Sequence, residues 1–260
     1  MPVCSANGLY YEWSGLESGA VLIFSNSLGT TLEMWEPQVQ HFGDRYRILR
    51  YDTRGHGRSE VTPGPYTLEG LGQDVLALAA ALGVKRAAFC GLSLGGVVGQ
   101  WLAAQAPQLV QKVILCDTAA RIGTHEMWNQ RIATAENQGM QAIAAGIPER
   151  WFSRPFVDRE PQTVADFQQM VRSTSPVGYA ACCVALREAD MHPYLPTIRI
   201  PSLILYGDQD PVTTAKDAQV LAQQIPGASL AGLSASHISN VEAATQFNEH
   251  LDKFLSESGR

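Results

Sequence analysis

No apolar run in these 260 residues approaches the roughly 20 needed to cross a bilayer. The N-terminal Met1-Pro2-Val3-Cys4-Ser5-Ala6 has no charged segment followed by an apolar one, so neither a membrane span nor export is expected, and a cytoplasmic location is. Basic tracts are missing too. With Lys+Arg 19 against Asp+Glu 25 the net charge is -6, nothing is built to neutralise a phosphate backbone, and nucleic acid is not an expected partner. Cysteine is sparse and odd in number. Cys4, Cys90, Cys116, Cys182 and Cys183 show neither CxxC spacing nor adjoining histidines, which argues against a metal site and against a disulfide framework. Reduced thiols are expected, with Cys90 and Cys116 as small core residues and Cys182-Cys183 in helix packing. Repeats, low-complexity tracts and flexible linkers are also absent.

What is present is 45% hydrophobic content arranged in short apolar runs, enough for a sizeable core. Ala20–Phe24, Arg47–Tyr51, Val113–Cys116 and Ser202–Tyr206 read as strands, the apolar ones buried on both faces of a parallel sheet, with a weaker strand over Ser229–Leu233. Two short strands around Asn7-Gly8 read as a hairpin. Between the strands lie helical patterns: about 34–41, a face of Leu68, Leu71, Val75, Leu78 and Leu82 closed by Gly83, a helix through Val97 to Leu102, and another through Ala218 and Leu221. A last helix carries Val241, Ala244, Phe247, Leu251 and Phe254 on one side, with Asn240 as its expected cap. This alternation predicts an α/β fold, a mostly parallel eight-stranded sheet covered by helices on both faces. Residues 121–195 break it. They are helical in pattern, rich in Met, Trp, Phe and Arg, and flanked by Pro193, Pro196 and Pro201, so they read as a helical lid inserted into a core of residues 1–120 and 196–260.

Chemistry enters at Gly91-Leu92-Ser93-Leu94-Gly95, a Gly-x-Ser-x-Gly with an apolar strand before it and a helix after it. That context suits a nucleophile elbow, a sharp turn that lifts one hydroxyl and tolerates only small flanking residues. A serine nucleophile needs a base and a group to orient that base. Asp210, in Gly207-Asp208-Gln209-Asp210, and His237 each follow a strand, which brings them to the same carboxyl edge as Ser93. The order Ser, Asp, His is that of α/β-hydrolases. Ser93 is therefore the candidate nucleophile, His237 the base and Asp210 the orienting carboxylate, with Asp208 a turn residue and His56 a loop histidine bonded to backbone. Oxyanion donors are expected at the backbone N–H of Leu94 and, from the loop after the third strand, of Leu28. Asn26 and Ser27 in that loop either bond a polar substrate or hold the loop closed.

The segments Ser25-Asn26-Ser27-Leu28-Gly29-Thr30, Tyr51-Asp52-Thr53-Arg54-Gly55-His56-Gly57-Arg58-Ser59, Gly178-Tyr179-Ala180-Ala181-Cys182-Cys183 and Ser236-His237-Ile238-Ser239-Asn240-Val241-Glu242, taken with the elbow, resemble the 3-oxoadipate enol-lactonases. The resemblance implies hydrolysis of 3-oxoadipate enol-lactone to 3-oxoadipate in the breakdown of protocatechuate and catechol, without a cofactor. The partner it implies is a small lactone bearing a carboxylate. A cation should meet that carboxylate, and among the arginines of the lid Arg131 is the candidate, with Trp128 three residues earlier on the same helical face to pack on the ring. Other hydrolases of this fold, a carboxylesterase or a carbon–carbon bond hydrolase of ring-cleavage products, remain alternatives, as does a ligand receptor that keeps the fold.

Overall fold

A computed structural model describes residues 3–4 and 8–257. In chain order the elements are β1 Val3–Cys4, β2 Leu9–Gly15, β3 Val21–Ser25, α1 Glu36–Phe42, β4 Arg47–Tyr51, α2 Leu68–Ala81, β5 Ala87–Leu92, α3 Leu94–Gln105 and β6 Val110–Cys116. Six helices follow without a strand: α4 His125–Gln138, α5 Met140–Ala145, α6 Ile147–Trp151, α7 Arg154–Arg159, α8 Pro161–Ser173 and α9 Pro176–Glu188. The chain then returns to β7 Ser202–Gly207, α10 Ala215–Gln224, β8 Ser229–Leu233, α11 Ser239–Glu242 and α12 Ala244–Ser256. Among the described residues no helix is long and apolar enough to cross a membrane.

The eight strands form one sheet in the order β1-β2-β4-β3-β5-β6-β7-β8. Strands β3 to β8 pair in parallel, while β1 and β2 pair antiparallel at one edge. The hairpin expected around Asn7-Gly8 is seen only in part: Gly8 has φ +70 and β1 pairs with β2, while Asn7 lies outside the described residues. The central strands are buried over most of their length because helices cover both faces, whereas β8 is largely exposed, which accounts for its weak apolar signal. The core is continuous from sheet to helices. Phe24 stacks on Trp35 at 4.6 Å, and Phe247 of α12 closes over Trp35 at 6.2 Å. Side chains of this size contribute about 1.5–3 kcal/mol each when fully buried. Local signals set the helix ends. The Thr67 hydroxyl accepts from the Gly70 N–H at 3.0 Å to start α2, and Thr124 does the same for Met127 at the start of α4.

One expectation fails. Asn240 does not cap the last helix: it sits inside α11, and the chain breaks at Ala243 before α12 begins. The amide of Asn240 turns inward instead, donating to the Met34 carbonyl at 2.9 Å and to Gln38 Oε1 at 3.0 Å, while the Gln38 amide donates to the Asn240 carbonyl at 2.8 Å and to Asn248 Oδ1 at 3.0 Å. Tertiary hydrogen bonds in a dry site outweigh the capping preference, because leaving those buried groups unpaired costs more than a cap contributes. Asn240→Ala is expected to lose about 1–3 kcal/mol of stability, read as a lower urea midpoint with an unchanged slope.

Candidate active site

Ser93 stands between β5 and α3 with φ 56 and ψ -111, a conformation that side-chain-bearing residues rarely adopt. The residues two positions to either side have no room to be anything but glycine. A Cβ on Gly91 would lie 2.1 Å from the Gly95 carbonyl oxygen, and one on Gly95 would lie 2.3 Å from the carbonyl oxygen of Ser25. The turn is pinned by a bond from the Ser93 N–H to the Cys116 carbonyl at 2.9 Å, and by the Thr118 hydroxyl donating to the Ser93 carbonyl at 2.8 Å.

The other two members of the expected triad meet. His237, between β8 and α11, and Asp210, just past β7, are both buried, and the His237 Nδ1–H donates to Asp210 Oδ2 at 2.8 Å. Because a carboxylate can only accept, this bond fixes the tautomer and leaves Nε2 as the acceptor. Asp210 is held on every side: Oδ1 accepts from Val212 N–H at 2.7 Å and Thr213 N–H at 3.1 Å, and Oδ2 accepts from the Thr213 hydroxyl at 2.7 Å. Burial pushes its pKa up, but the adjacent imidazole and these donors outweigh burial and hold it below the ordinary carboxylate value. Asp208 is exposed in the turn, its N–H bonded to the Leu233 carbonyl. Thr213 is an addition to the residues expected from sequence, and its local signal is a hydroxyl three residues beyond an aspartate, a common partner for one.

In the loop after β3 the amides are accounted for one by one. Ser27 N–H points to Met34 Sδ at 3.4 Å, Gly29 N–H donates to His56 Nε2 at 3.0 Å, and Thr30 N–H donates to the Ser27 carbonyl at 3.2 Å. Leu28 N–H meets no protein acceptor among the described residues, and neither does Leu94 N–H, the first amide of α3. The two sequence-expected oxyanion donors are thus both open. The Gly95 N–H joins their loops by donating to the Asn26 carbonyl at 3.1 Å. Of the two roles open to Asn26, substrate contact and loop closure, its bonds serve the second: its buried side chain donates to the Tyr51 carbonyl at 2.8 Å and accepts from Trp35 Nε1 at 3.0 Å, which holds the loop closed. The hydroxyl of Ser27 meets no protein partner among the described residues.

His56 is bonded to backbone at both nitrogens, accepting from Gly29 at Nε2 and donating from Nδ1 to the Arg54 carbonyl at 3.3 Å. Burial pulls its pKa down to about 4, so it is a neutral prop for the oxyanion loop rather than a base.

Helices α4 to α9 supply the remaining surroundings. The Trp151 ring lies 6.5 Å from the His237 ring, and its carbonyl accepts the Ile238 N–H at 3.1 Å. Glu242 Oε2 accepts from both Ser153 N–H and Ser236 N–H, at 3.2 and 3.1 Å. Tyr179 of α9 packs at Gly29. Arg131 lies over the Trp128 ring at 5.3 Å, while Trp128 is buried with its indole N–H donated to the Ile122 carbonyl at 2.6 Å. Arg150, one of the four arginines from Arg121 to Arg154 among which Arg131 is the preferred candidate in sequence, has a buried Nε without a partner, and its pKa is lowered by burial and by the charge of Arg131. Both guanidiniums act on the Tyr179 hydroxyl, whose pKa burial nonetheless pushes up to about 12. Neither arginine has an acidic partner among the described residues.

The sequence model of the alpha/beta hydrolase fold matches residues 20–244. The chain is 45% identical over 247 residues to 3-oxoadipate enol-lactonase 2 of Acinetobacter baylyi, covering 95% of this chain and 92% of the relative. The chain belongs to the enol-lactonase branch of the α/β-hydrolase family. A second Acinetobacter baylyi relative, 3-oxoadipate enol-lactonase 1, is 38% identical over the same shares of the two chains. The crystal structure of the enol-lactonase from Burkholderia xenovorans LB400 superposes on this α/β-hydrolase with a TM-score of 0.97 at 43% identity, covering 98% of this chain and 100% of that one. The protein is accordingly a hydrolase.

Removing the acceptor of His237 should leave the imidazole in the wrong tautomer, so Asp210→Asn is expected to lower kcat on the order of 10³–10⁴-fold with little change in KM. For His56 the sign is fixed by its depressed folded-state pKa. The unfolded chain takes up a proton from about 6.5 downwards and the folded one only near about 4, so stability falls as pH drops through that window. Urea midpoints measured across it should fall less steeply in His56→Gln.

Proposed function

We propose that this α/β-hydrolase opens 3-oxoadipate enol-lactone by acyl transfer through Ser93, His237 and Asp210. The observation that carries the reading is the buried His237–Asp210 pair at the strand edge that also presents the Ser93 elbow, in a chain of the enol-lactonase branch. His237 Nε2 takes the proton of Ser93 Oγ as that oxygen bonds to the lactone carbonyl carbon. The oxyanion that forms is met by the N–H groups of Leu28 and Leu94, which already point at nothing else and so need no reorganisation. Cleavage of the ring C–O bond releases an enol oxygen, which His237 protonates and which ketonises. Water, deprotonated by His237, then attacks the acyl-enzyme, Ser93 leaves with the returned proton, and 3-oxoadipate is the product. Lactone plus water gives one keto diacid, and no electron carrier is required.

The substrate is a small lactone, and its free carboxylate needs a cation in a water-poor site. Arg131, with Trp128 beside it, takes that role in our reading, and Arg150 joins it because two neighbouring guanidiniums without acidic partners are complementary to one carboxylate. Helices α4 to α9, residues 121–195, then serve as the lid, with residues 1–120 and 196–260 as the hydrolase core. The free thiols of Cys90, Cys116, Cys182 and Cys183 suit a cytoplasmic enzyme.

The test follows loss of freshly prepared enol-lactone spectroscopically. Wild type is expected to prefer it over an aryl ester, and Ser93→Ala to lose on the order of 10³-fold or more in kcat. Equal turnover by Ser93→Ala would sink the nucleophile assignment, and preference for the aryl ester would sink the substrate assignment. Arg131→Ala and Arg150→Ala are each expected to raise KM for the lactone about tenfold, corresponding to about 1.4 kcal/mol, and to leave KM for an uncharged ester unchanged.

A further inference from the structure

Asp117 is a wholly buried carboxyl beside the triad that the proposed chemistry leaves without a task. It follows β6 directly and is held in the left-handed region at φ 43. Its N–H donates to the Leu205 carbonyl at 2.9 Å, Oδ1 accepts the Gly207 N–H at 2.8 Å, and Oδ2 meets the hydroxyl of Ser239. Three segments therefore converge on one side chain: the end of β6, the end of β7 three residues before Asp210, and the start of α11 two residues after His237. No cation does so, and Asp117 enters no ion pair among the described residues.

The groups facing it are Asp210 from the loop after β7, with His237 behind that carboxylate, Ser239 from α11, and the thiol of Cys116 on its own strand. Cys116 is neutral, its thiol pushed up by burial and by Cys90. His237 is a single imidazole already bonded to Asp210. A second ionised carboxylate in this space would be an uncompensated buried charge next to the first. Three donors meet the carboxyl, the Gly207 N–H and the N–H and O–H of Ser239. In the protonated form it still accepts from both amides, with its own O–H turned to the Ser239 oxygen, which can accept as well as donate.

We propose that Asp117 is a neutral carboxylic acid and a positioning residue, stapling the ends of β6 and β7 to the histidine loop without adding charge to the Asp210–His237 pair. The proposal rests on the roles given above to Asp210 and His237. Burial, reinforced by the charge of Asp210, pushes its pKa well above the ordinary carboxylate value. The folded protein therefore keeps a proton that the unfolded chain gives up, and this side chain makes stability decline as pH rises past the unfolded carboxylate range.

Asparagine reproduces the neutral acid, with an oxygen for Gly207 and an N–H for Ser239, whereas alanine deletes both bonds. Asp117→Ala is expected to lower kcat for the enol-lactone about 10- to 100-fold with KM little changed, through displacement of the His237 loop. Asp117→Asn is expected to restore kcat to within about twofold of wild type and to leave the acid limb of the kcat/KM profile where it is. Urea stability measured from about pH 5 to about pH 9 should show the asparagine variant gaining on wild type as pH rises. If Asp117→Asn loses as much as Asp117→Ala, moves the acid limb, or gains no stability relative to wild type at high pH, the carboxyl is ionised and the proposal is wrong. Ser93→Ala in the same assay separates failure of the lactonase reading from failure of this one, and the stability arm needs no turnover.

Discussion

A single backbone bond, from the Gly95 N–H to the Asn26 carbonyl, decides how the rest of the site is assembled. It draws the loop after β3 against the first turn of α3 so closely that the intervening space admits no side chain, which is why a glycine stands at 95. With the two backbones locked together, the amides of Leu28 and Leu94 are left open on the two loops it joins. Everything around the contact serves to keep it rigid. Asn26 is tied to Tyr51 and Trp35, Trp35 is stacked on Phe24 and covered by Phe247, and Gly29 is tied to His56. Electrostatic catalysis depends on donors fixed before charge develops, and here the hydrophobic core does the fixing.

Where a residue's role was carried by period or by local chemistry, the sequence was a sufficient guide. The apolar runs of β3, β4, β6 and β7 marked a doubly covered sheet, and Ser93, Asp210 and His237 stand, as the pattern of strands implied, just past the ends of β5, β7 and β8. The Gly83 stop belongs to the same class of signal, since it acts within a few residues. What escaped were the residues whose partners lie far off in the chain. Asn240 has the composition of a cap but bonds Met34 and Gln38, some 200 positions away. Arg150 looks like any lid arginine until the absence of an acidic partner is seen, and Asp117 like any polar residue closing a strand. For Asn26 a polar side chain in such a loop leaves two roles open in sequence, and only the distant partners Tyr51 and Trp35 show the one it fills.

The site also separates charge from scaffolding. One carboxylate, Asp210, is stabilised by three donors and an imidazole, while His56 in the loop after β4 and the thiol of Cys116 are held neutral by burial. Such a division keeps the field at Ser93 simple. The base feels a single fixed anion, and the supporting polar groups act through hydrogen-bond geometry.

Helix α6 shares more with the core than packing. Its Trp151 carbonyl receives the amide of the residue after His237, and Glu242 holds amides from both residue 153 and the histidine loop. The helices over residues 121–195 are consequently not an interchangeable attachment. A helical segment grafted from another hydrolase would have to bring a carbonyl to the same point, or leave the buried Ile238 amide unsatisfied next to His237. The helical segment and the histidine loop in this protein would then have to diverge together, since the backbone of the one holds the backbone of the other.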